Sequence, residues 1–208
     1  MSSLTVGIAG ITGKFGRLVA SKLLQNPNIN LRGYARDPSK VIPSIAESPR
    51  VKLFKGEAFD DTSIKPFVTG TDVIICAYLG ADDLMIDGQK KLIDACDEAG
   101  VPRYIASDWS LDYTKLKLGE LFPKDPMIHV KAYLETKKTT KGVHILIGGF
   151  MDPILSPFFS VWDPQTQTLR YWGEGDEPFE GTSYENAAEF TAAIVADKSA
   201  IGIKKCKI

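Results

Sequence analysis

The sequence predicts an α/β fold: a doubly wound parallel sheet with helices on both faces, followed by a small, shortened C-terminal lobe. Three observations support this prediction. Short, β-branched apolar runs alternate with helical segments over residues 1–150, and such alternation gives right-handed crossovers and parallel strands. Glycines with the spacing G-x-x-G-x-x-G follow the first run. From residue 152 the alternation stops and prolines accumulate, so we divide the chain into a sheet domain at 1–150 and a lobe at 151–208.

The first apolar run, residues 4–8, is expected to be a strand, and a helix with apolar residues at helical spacing follows it. The three glycines therefore lie at a strand-to-helix turn. Gly10 permits the tight turn, Gly13 lets the backbone approach a pyrophosphate at the helix N-terminus, and Gly16 lets the helix pack close to its strand. This arrangement is typical of a Rossmann-type dinucleotide site. Its candidate cofactor-binding residues are Gly10, Thr12, Gly13, Lys14, Phe15 and Gly16.

The second strand, residues 29–35, ends at Arg36. An acidic residue at this point binds the ribose 2′-hydroxyl of NAD, whereas an arginine accommodates the 2′-phosphate of NADP. Because the guanidinium is a charged, forked donor, Arg36 favours NADP(H), and Lys40 is a second candidate cation. The next residue, Asp37, is acidic, so this position carries features of both NADP and NAD sites. Alternatively, Arg36 and Asp37 form an ion pair at a surface turn and bind no cofactor.

Four further apolar runs complete the predicted sheet, at residues 51–55, 73–77, 104–107 and 143–147. The turn at 56–60 is expected to lie beside the adenine. The run at 73–77 is apolar throughout, as in strands buried on both faces, so Ala77 and Tyr78 at its end are expected to open onto the cofactor crevice. Helices are predicted at residues 85–100, from 126 to about 140 and after 182, and a last strand within 199–208.

Composition excludes several classes of function. The formal net charge of -1 argues against a nucleic-acid partner, because phosphate binding needs a concentrated basic surface. The chain has no apolar run long enough for a membrane span. Its N-terminus lacks the basic and then apolar segments of a secretory signal peptide. Its three cysteines and two histidines lack metal-ligand spacing. We therefore expect a soluble, cytoplasmic protein that binds a small-molecule substrate and no metal, membrane or nucleic acid. The oligomeric state is not indicated.

Two sets of residues on the helix after residue 126 are candidates for catalysis. Tyr133 and Lys137 have the spacing by which short-chain dehydrogenases pair a tyrosine acid with a lysine, and Ser107 is a candidate third member. Lys131 alone is the other candidate, as a proton donor or as a contact to the nicotinamide ribose. An α-helix turns by about 100° per residue. The two sets therefore lie on opposite sides of the apolar stripe of this helix. Spacing alone leaves both open.

Five segments resemble, in the same order, segments of one known family. They read Gly-Ile-Thr-Gly-Lys-Phe-Gly at 10–16, Ala-Arg-Asp-Pro at 35–38, Ser-Asp-Trp at 107–109, His-Val-Lys at 129–131 and Gly-Gly-Phe-Met-Asp at 148–152. This ordered set covers most of the chain and is far more specific than any one motif. It resembles the NmrA-like family, the isoflavone-reductase-related branch of the atypical short-chain dehydrogenases.

The resemblance implies an NADP(H)-dependent reductase of a carbonyl or conjugated small molecule, with a small substrate lobe after the Rossmann domain. It also implies a catalytic lysine about eleven residues before a glycine that precedes a strand. Lys131 lies eleven residues before Gly142 and takes this role. Trp109, Phe150 and Met151 are expected to form an apolar wall for the substrate, and Ser107 to join the cofactor site.

The same family includes regulators that bind a dinucleotide without reducing a substrate. Its members usually continue beyond the point where this chain stops, with helices that close the substrate pocket. A cofactor-sensing protein that acts on a protein partner is therefore the alternative function. A redox-neutral isomerase or cyclase on the same fold is a third, since a fold alone does not fix the reaction.

Overall fold

The computed structural model describes residues 3–171 and 173–206. Its strands are β1 (Leu4–Ala9), β2 (Ile29–Ala35), β3 (Val51–Lys55), β4 (Val73–Cys76), β5 (Arg103–Ile105), β6 (Lys141–Leu146), β7 (Gly149–Phe150), β8 (Trp162–Asp163), β9 (Thr168–Leu169), β10 (Gly181–Thr182) and β11 (Gly202–Lys205). Its α-helices are α1 (Lys14–Leu24), α2 (Pro43–Ala46), α3 (Asp61–Val68), α4 (Gln89–Glu98), α5 (Asp125–Glu135), α6 (Met151–Ile154) and α7 (Tyr184–Ala196).

Seven strands form one parallel sheet in the order β11-β6-β5-β4-β1-β2-β3. Val6 of the central strand β1 pairs with Leu31 of β2 on one side and with Val73 of β4 on the other. The strand order therefore reverses at β1. Such a reversal opens a crevice at the carboxyl edge, where the C-terminal ends of the parallel strands meet. The predicted doubly wound, Rossmann-type sheet is confirmed.

Two apolar layers hold helices against the two faces of the sheet. Val6 and Ile8 are buried on one face, in a layer that includes residues of α1 and α7. Ile74 and Cys76 are buried on the other face, with residues of α3, α4 and α5. Successive residues of a strand point to opposite faces, so runs that are apolar at every position, such as β4, pack under both layers. Full burial of each large aliphatic side chain contributes about 1.5–3 kcal/mol.

The helix predicted to run from residue 126 to about 140 ends earlier, at Glu135. Beyond it, the backbone N–H groups of Thr139 and Thr140 donate to Asp97 Oδ1 at 2.8 and 2.9 Å. The hydroxyl of Thr140 donates to the Val101 carbonyl at 2.7 Å. These bonds to the end of α4 replace further helical bonds, so β6 starts at Lys141, two residues before the predicted strand.

The segment after residue 150 combines an irregular part with elements that return to the sheet. Residues 155–180 carry the short hairpin of β8 and β9, which pair antiparallel. The helix predicted after residue 182 is α7, and its N-cap is Ser183, whose Oγ accepts from the Asn186 N–H at 3.1 Å. α7 packs in the same layer as α1, and β11 extends the sheet beside β6. The boundary at residue 150 remains a prediction, and residues 207–208 of the predicted last strand lie outside the described chain.

Candidate functional site

A cavity of about 500 Å³ lies at the carboxyl edge of β1, β2 and β4, where the strand order reverses. Four segments line it. They are residues 10, 12 and 13 of the loop after β1, residues 34–36 at the end of β2, residues 56–59 after β3, and residues 77–79 after β4. Leu84 completes the lining. The structure thus brings together the glycine turn, Arg36, Ala77 and Tyr78, which are far apart in the sequence.

The turn after β1 depends on Gly10. This residue has φ +86°, a left-handed conformation in which a side chain is strained. Its N–H donates to the Tyr34 carbonyl at 2.9 Å, and a Cβ added at Gly10 would lie 2.6 Å from the Ala77 carbonyl oxygen. Gly16 is equally restricted, since its added Cβ would lie 2.5 Å from the Gly10 carbonyl oxygen. Both glycines allow α1, β1 and β4 to approach one another around the cavity.

The N-terminus of α1 is open toward an anion. Gly13 is its N-cap, and neither a side-chain cap nor an acidic residue occupies the first turn. The N–H groups of this turn have no partner within the helix, and the helix dipole adds partial positive charge. The predicted residues Lys14 and Phe15 contribute this backbone, but their side chains point elsewhere. Lys14 Nζ lies 4.4 Å from the centre of the Tyr184 ring, and Phe15 packs edge-on against Trp109.

Arg36 lines the cavity at the end of β2 and is exposed. It takes part in none of the ion pairs formed by the described residues. Asp37 turns away: its Oδ1 accepts from the N–H and hydroxyl of Ser39, at 3.2 and 2.6 Å. These bonds to Ser39 hold the pKa of the Asp37 carboxyl below its ordinary value. The surface pair between Arg36 and Asp37, considered as an alternative, is therefore not formed.

Lys40 does not line the cavity. Its ammonium lies 3.7 Å from Asp37 Oδ2 and its side chain is 74% exposed. Asp37 caps the short 3-10 turn that contains Lys40, and this turn directs the lysine to solvent. In the structure, Lys40 thus lies outside the cavity that Arg36 lines, and not beside Arg36 as the sequence predicts.

Ser107 lies directly below the cavity. It follows β5, and its hydroxyl donates to the Tyr78 carbonyl at 2.7 Å. Its N–H donates to Gln89 Oε1 at 3.1 Å, and Ser107 is itself buried. Ser107 therefore supports the backbone of Tyr78, which lines the cavity, and does not line the cavity itself.

Lys131, the predicted catalytic lysine, faces a different part of the surface. Its ammonium pairs with Glu135 at 2.5 Å, and it lines a separate groove of about 300 Å³ with residues at the start of β6 and β11. Those residues mark the amino edge of the sheet, opposite the cofactor crevice. The structure therefore separates Lys131 from the glycine turn.

The alternative pair, Tyr133 on α5 and Lys137 just beyond its end, also lies away from the cavity. The Tyr133 hydroxyl donates to both oxygens of Asp94 on α4, at 2.8 and 2.9 Å. Lys137 Nζ donates to Asp94 Oδ1 at 2.5 Å. Both side chains thus join α4 to α5 and to the segment that follows α5. The two flanks of α5 border different features, as the helical geometry predicts, but neither borders the cavity.

The expected substrate wall is largely core packing. Trp109 is 6% exposed, and its indole N–H donates to Thr191 Oγ1 at 2.9 Å. Phe150 packs against Phe15, with ring centres 5.2 Å apart, and is partly buried. Met151 begins α6 and lies against Gly181. Trp109 and Phe150 contact α1 and α7, and none of the three residues lines the cavity that holds Arg36.

Tyr34 and Leu84 line the cavity but are not among the candidates from sequence. The Tyr34 hydroxyl donates to the Glu57 carbonyl at 2.7 Å and fixes the turn after β3. Leu84 lies on a π-helical turn, Asp83–Gly88. Such turns often occur at functional sites, but their period is not visible in a sequence that otherwise predicts an α-helix.

The described residues contain no group of three or more His, Cys, Asp or Glu side chains that could hold a metal ion. Within the same ranges, no helix is long and apolar enough to cross a membrane.

Comparison with known families agrees with this geometry. A family model described as NAD(P)H-binding matches residues 10–198, from the first glycine of the turn to the end of the α7 region. The chain belongs to the NAD(P)H-binding family. The matched range includes the glycine turn, Arg36 and strands β2 to β6 of the parallel sheet, whereas β1 and β11 lie outside it.

Two curated proteins that are similar in sequence have the names of a reductase homologue and an oxidoreductase. Isoflavone reductase homolog IRL of Zea mays is 34% identical over 122 residues, which is 54% of this chain and 38% of the maize protein. Oxidoreductase dmxR7 of Cryptosporiopsis sp. (strain 8999) is 28% identical over 83 residues, 38% of this chain and 35% of that protein. The matches therefore span less than two fifths of these relatives. They support the resemblance to isoflavone-reductase-related proteins.

Solved structures share the fold at low sequence identity. AtPrR2 with NADP+ and (+)pinoresinol has a TM-score of 0.80 at 18% identity, covering 99% of this chain and 70% of that chain. A crystal structure of isoflavone reductase has a TM-score of 0.80 at 17% identity, with 100% and 70% covered. A quinone oxidoreductase, QOR2, from Escherichia coli in complex with NADPH has a TM-score of 0.80 at 16% identity, with 98% and 68% covered. The Rossmann-type architecture is thereby confirmed.

Proposed function

We propose that the protein is an NADPH-dependent reductase of a carbonyl or conjugated small molecule. Membership of the NAD(P)H-binding family and the similarity to an isoflavone reductase homologue support the reaction class. The observation that carries the choice of cofactor is the contrast between two neighbours at the end of β2. Arg36 faces the cavity without an ion-pair partner among the described residues, whereas Asp37 is bonded to Ser39 within its own turn.

The residues present fit a dinucleotide. The first turn of α1 would hold the pyrophosphate, because no side-chain cap occupies its N–H groups. Gly10 and Gly13 would shape the loop beside it, since their own N–H groups are bonded to the Tyr34 and Gly10 carbonyls. Arg36 would hold the 2′-phosphate through its forked donors. A carboxylate at this position would accept the ribose hydroxyl of NAD, but Asp37 is already satisfied by Ser39. The preference for a 2′-phosphate therefore follows from charge and from hydrogen-bond satisfaction together.

The other half of the cofactor would extend along the carboxyl edge from Tyr78 toward the end of β5. Ser107 supports this edge through its bond to the Tyr78 carbonyl. When bound, NADPH supplies a hydride from C4 of its nicotinamide. The chain then has to orient the acceptor, exclude water and deliver a proton.

The cofactor assignment is tested by calorimetric titration of NADPH and NADH. Charge-assisted hydrogen bonds contribute about 1.5–3 kcal/mol, so Arg36→Ala should weaken NADPH binding about 10- to 150-fold. The affinity for NADH should stay within about threefold of the parent value, since NADH has no 2′-phosphate.

Lys40→Ala is the matched control. It removes a nearby cation, and Lys40 does not line the cavity. We expect its affinity for NADPH to stay within about threefold of the parent value. Equal affinities of the parent for NADPH and NADH would refute the 2′-phosphate assignment.

A cofactor-sensing protein without turnover is the second candidate, and one observation favours it. Lys131 pairs with Glu135 and lines a groove at the opposite edge of the sheet. The test is NADPH oxidation with a panel of ketones, enones and quinones. Turnover supports the reductase, and its loss in Lys131→Ala would return Lys131 to the catalytic role. Tight NADPH binding without turnover on the whole panel supports the sensor.

A further inference from the structure

The groove that Lys131 lines is a second concave site of the molecule. It measures about 300 Å³, and we call it the α5 groove. Helix α5 contributes Lys131 and Leu134, β6 contributes Gly142 and His144, and β11 contributes Ile203. None of the residues that line the α5 groove also lines the cavity of the candidate cofactor site. A ligand of the α5 groove would therefore not be the cofactor.

A buried carboxylate holds His144 in this groove. The side chains of His144 and Asp108 are 5% and 1% exposed, and His144 Nδ1 lies 2.7 Å from Asp108 Oδ2. The Tyr113 hydroxyl donates to the same oxygen at 3.0 Å. Because a carboxylate only accepts hydrogen bonds, Nδ1 carries a proton and donates to Asp108. This bond fixes the orientation of the ring and leaves Nε2 as its free nitrogen.

The free nitrogen of His144 faces open space in the α5 groove. Nε2 forms no hydrogen bond with another described residue. A Cβ added at Gly142 would lie 2.8 Å from Nε2 and 3.1 Å from Leu134 Cδ1, so a larger residue at this position would fill the space beside Nε2. The φ of Gly142 is not left-handed, and a glycine inside a strand often marks the close approach of another group. Gly142 therefore leaves room for a ligand next to Nε2.

One ammonium group of the groove lacks a carboxylate partner. Lys131 and Lys137 each form an ion pair, with Glu135 and with Asp94. Lys141 takes part in none of the ion pairs among the described residues, and its ammonium donates to a backbone carbonyl at 3.1 Å. An ammonium has three donors, so Lys141 can donate to a ligand as well. The α5 groove thus combines an unpaired cation with the free ring nitrogen, and hydrogen bonds from a cation to an anion are strong.

Apolar side chains also line the groove. Ile201 and Ile203 belong to it and are 53% and 40% exposed. Ile203 is paired with His144 in the ladder of β11 and β6, so both side chains project from the same face of the sheet. The apolar part of a ligand that covers these isoleucines is removed from water, which favours binding. The groove therefore suits a ligand with an anionic head and an apolar body.

We propose that the α5 groove binds a small organic carboxylate. The carboxylate accepts from the Lys141 ammonium and from His144 Nε2, since both ring nitrogens of an imidazolium are donors. The apolar part of the ligand covers Ile201 and Ile203. The inference does not depend on the proposed reductase function, because the groove shares no residue with the candidate cofactor site.

Hexanoate is the probe, and the readout is NMR of the protein with ¹³C-labelled isoleucine methyl groups. The signals of Ile201 and Ile203 are assigned by their absence in Ile201→Val and Ile203→Val. We expect both signals to shift with hexanoate until the site is saturated. Hexanamide lacks the charge, and acetate lacks most of the apolar part. Each of them should bind at least about 10-fold more weakly than hexanoate.

Three variants test the contacts of the carboxylate. Gly142→Ala fills the space beside Nε2, Lys141→Met removes the ammonium, and His144→Asn removes Nε2 but keeps a side-chain N–H for Asp108. We expect the Kd for hexanoate to rise at least about 10-fold in each of them. Lys138→Met is the matched control, because Lys138 is an exposed lysine nearby that does not line the groove. Its Kd should stay within about threefold of the parent value. Thermal unfolding confirms that the variants fold.

Weaker binding in Lys141→Met and Gly142→Ala, with parent affinity in Lys138→Met, supports the proposed site. Absence of shifts in the two isoleucine signals, or equal affinities for hexanoate and hexanamide, overturns it. Parent affinity in both Lys141→Met and Gly142→Ala means that the carboxylate binds elsewhere, and it overturns the site even if His144→Asn does not fold. None of these measurements uses NADPH, so failure of the proposed reductase function would leave them unchanged.

Discussion

Replacement of Gly10 by alanine tests whether the turn after β1 is built on a close approach of two backbones. The added Cβ would lie 2.6 Å from the Ala77 carbonyl oxygen and 3.0 Å from the Ala77 carbonyl carbon. These atoms belong to the backbone after β4, which cannot rotate aside as a flexible side chain would. The left-handed φ of +86° at Gly10 adds a second penalty.

The two penalties can be separated. Placing an L-residue in the left-handed region costs about 1–2 kcal/mol, and forcing extra volume into a packed site costs about 1–3 kcal/mol. Gly10→Ala should therefore lower the free energy of unfolding by about 2–5 kcal/mol. Gly119 is the matched control, because it has φ +84° and its added Cβ would meet nothing within 4 Å. Gly119→Ala should lose only the conformational part, about 1–2 kcal/mol.

Urea unfolding followed by circular dichroism measures both variants, and calorimetry measures their NADPH binding. Gly10→Ala should also weaken NADPH binding, because relief of the contact moves Ala77 or the helix N-terminus. Gly119→Ala should bind as the parent does. Equal losses of stability in the two variants, with unchanged NADPH binding in both, would contradict the close approach that we describe.

Two further predictions concern buried groups. Burial raises the pKa of Cys76 to about 12, whereas an unfolded cysteine titrates near 8.5. The folded state therefore keeps a proton that the unfolded state releases, so the free energy of unfolding should fall above about pH 8.5, by up to about 1.4 kcal/mol per pH unit. Urea unfolding from pH 8 to 11 should show a shallower decline in Cys76→Ala, and parallel declines would contradict the burial of this thiol. Trp109→Phe removes the indole donor to Thr191 and should cost about 1–2 kcal/mol of stability, measured by urea unfolding. Unchanged stability would show that Trp109 is free for another role.

The sheet and the nucleotide half of the site follow from local patterns. The end of β2 at Ala35, the glycine turn and the apolar run of β4 are each set by a few adjacent residues, and their meeting follows from the right-handed crossover rule. The position of Arg36 at the end of β2 predicts that it lines the cofactor crevice, and in the structure Arg36 lines the cavity. The choice between NADPH and NADH remains a prediction, since side-chain position is not affinity.

The remainder depends on tertiary contacts that a sequence does not display. α5 stops at Glu135, and the Thr139 and Thr140 N–H groups bond to Asp97 on a different helix, whereas the sequence pattern predicts a helix that continues to about residue 140. The sequence motif predicts that Trp109 contacts the substrate. In the structure, however, its indole N–H donates to Thr191 of α7. The pairing of Asp108 with Tyr113 and His144 likewise joins three segments that no periodicity connects.

The strand order also has a kinetic consequence. The crevice depends on pairing of β1 with β4, whereas β1 and β2 are close neighbours along the chain. Joining distant segments is slow, because loop closure precedes the contacts that reward it. The crevice should then assemble late during refolding, after the β1–β2–β3 half. A ligand held there would slow the loss of native structure far more than it would speed its formation.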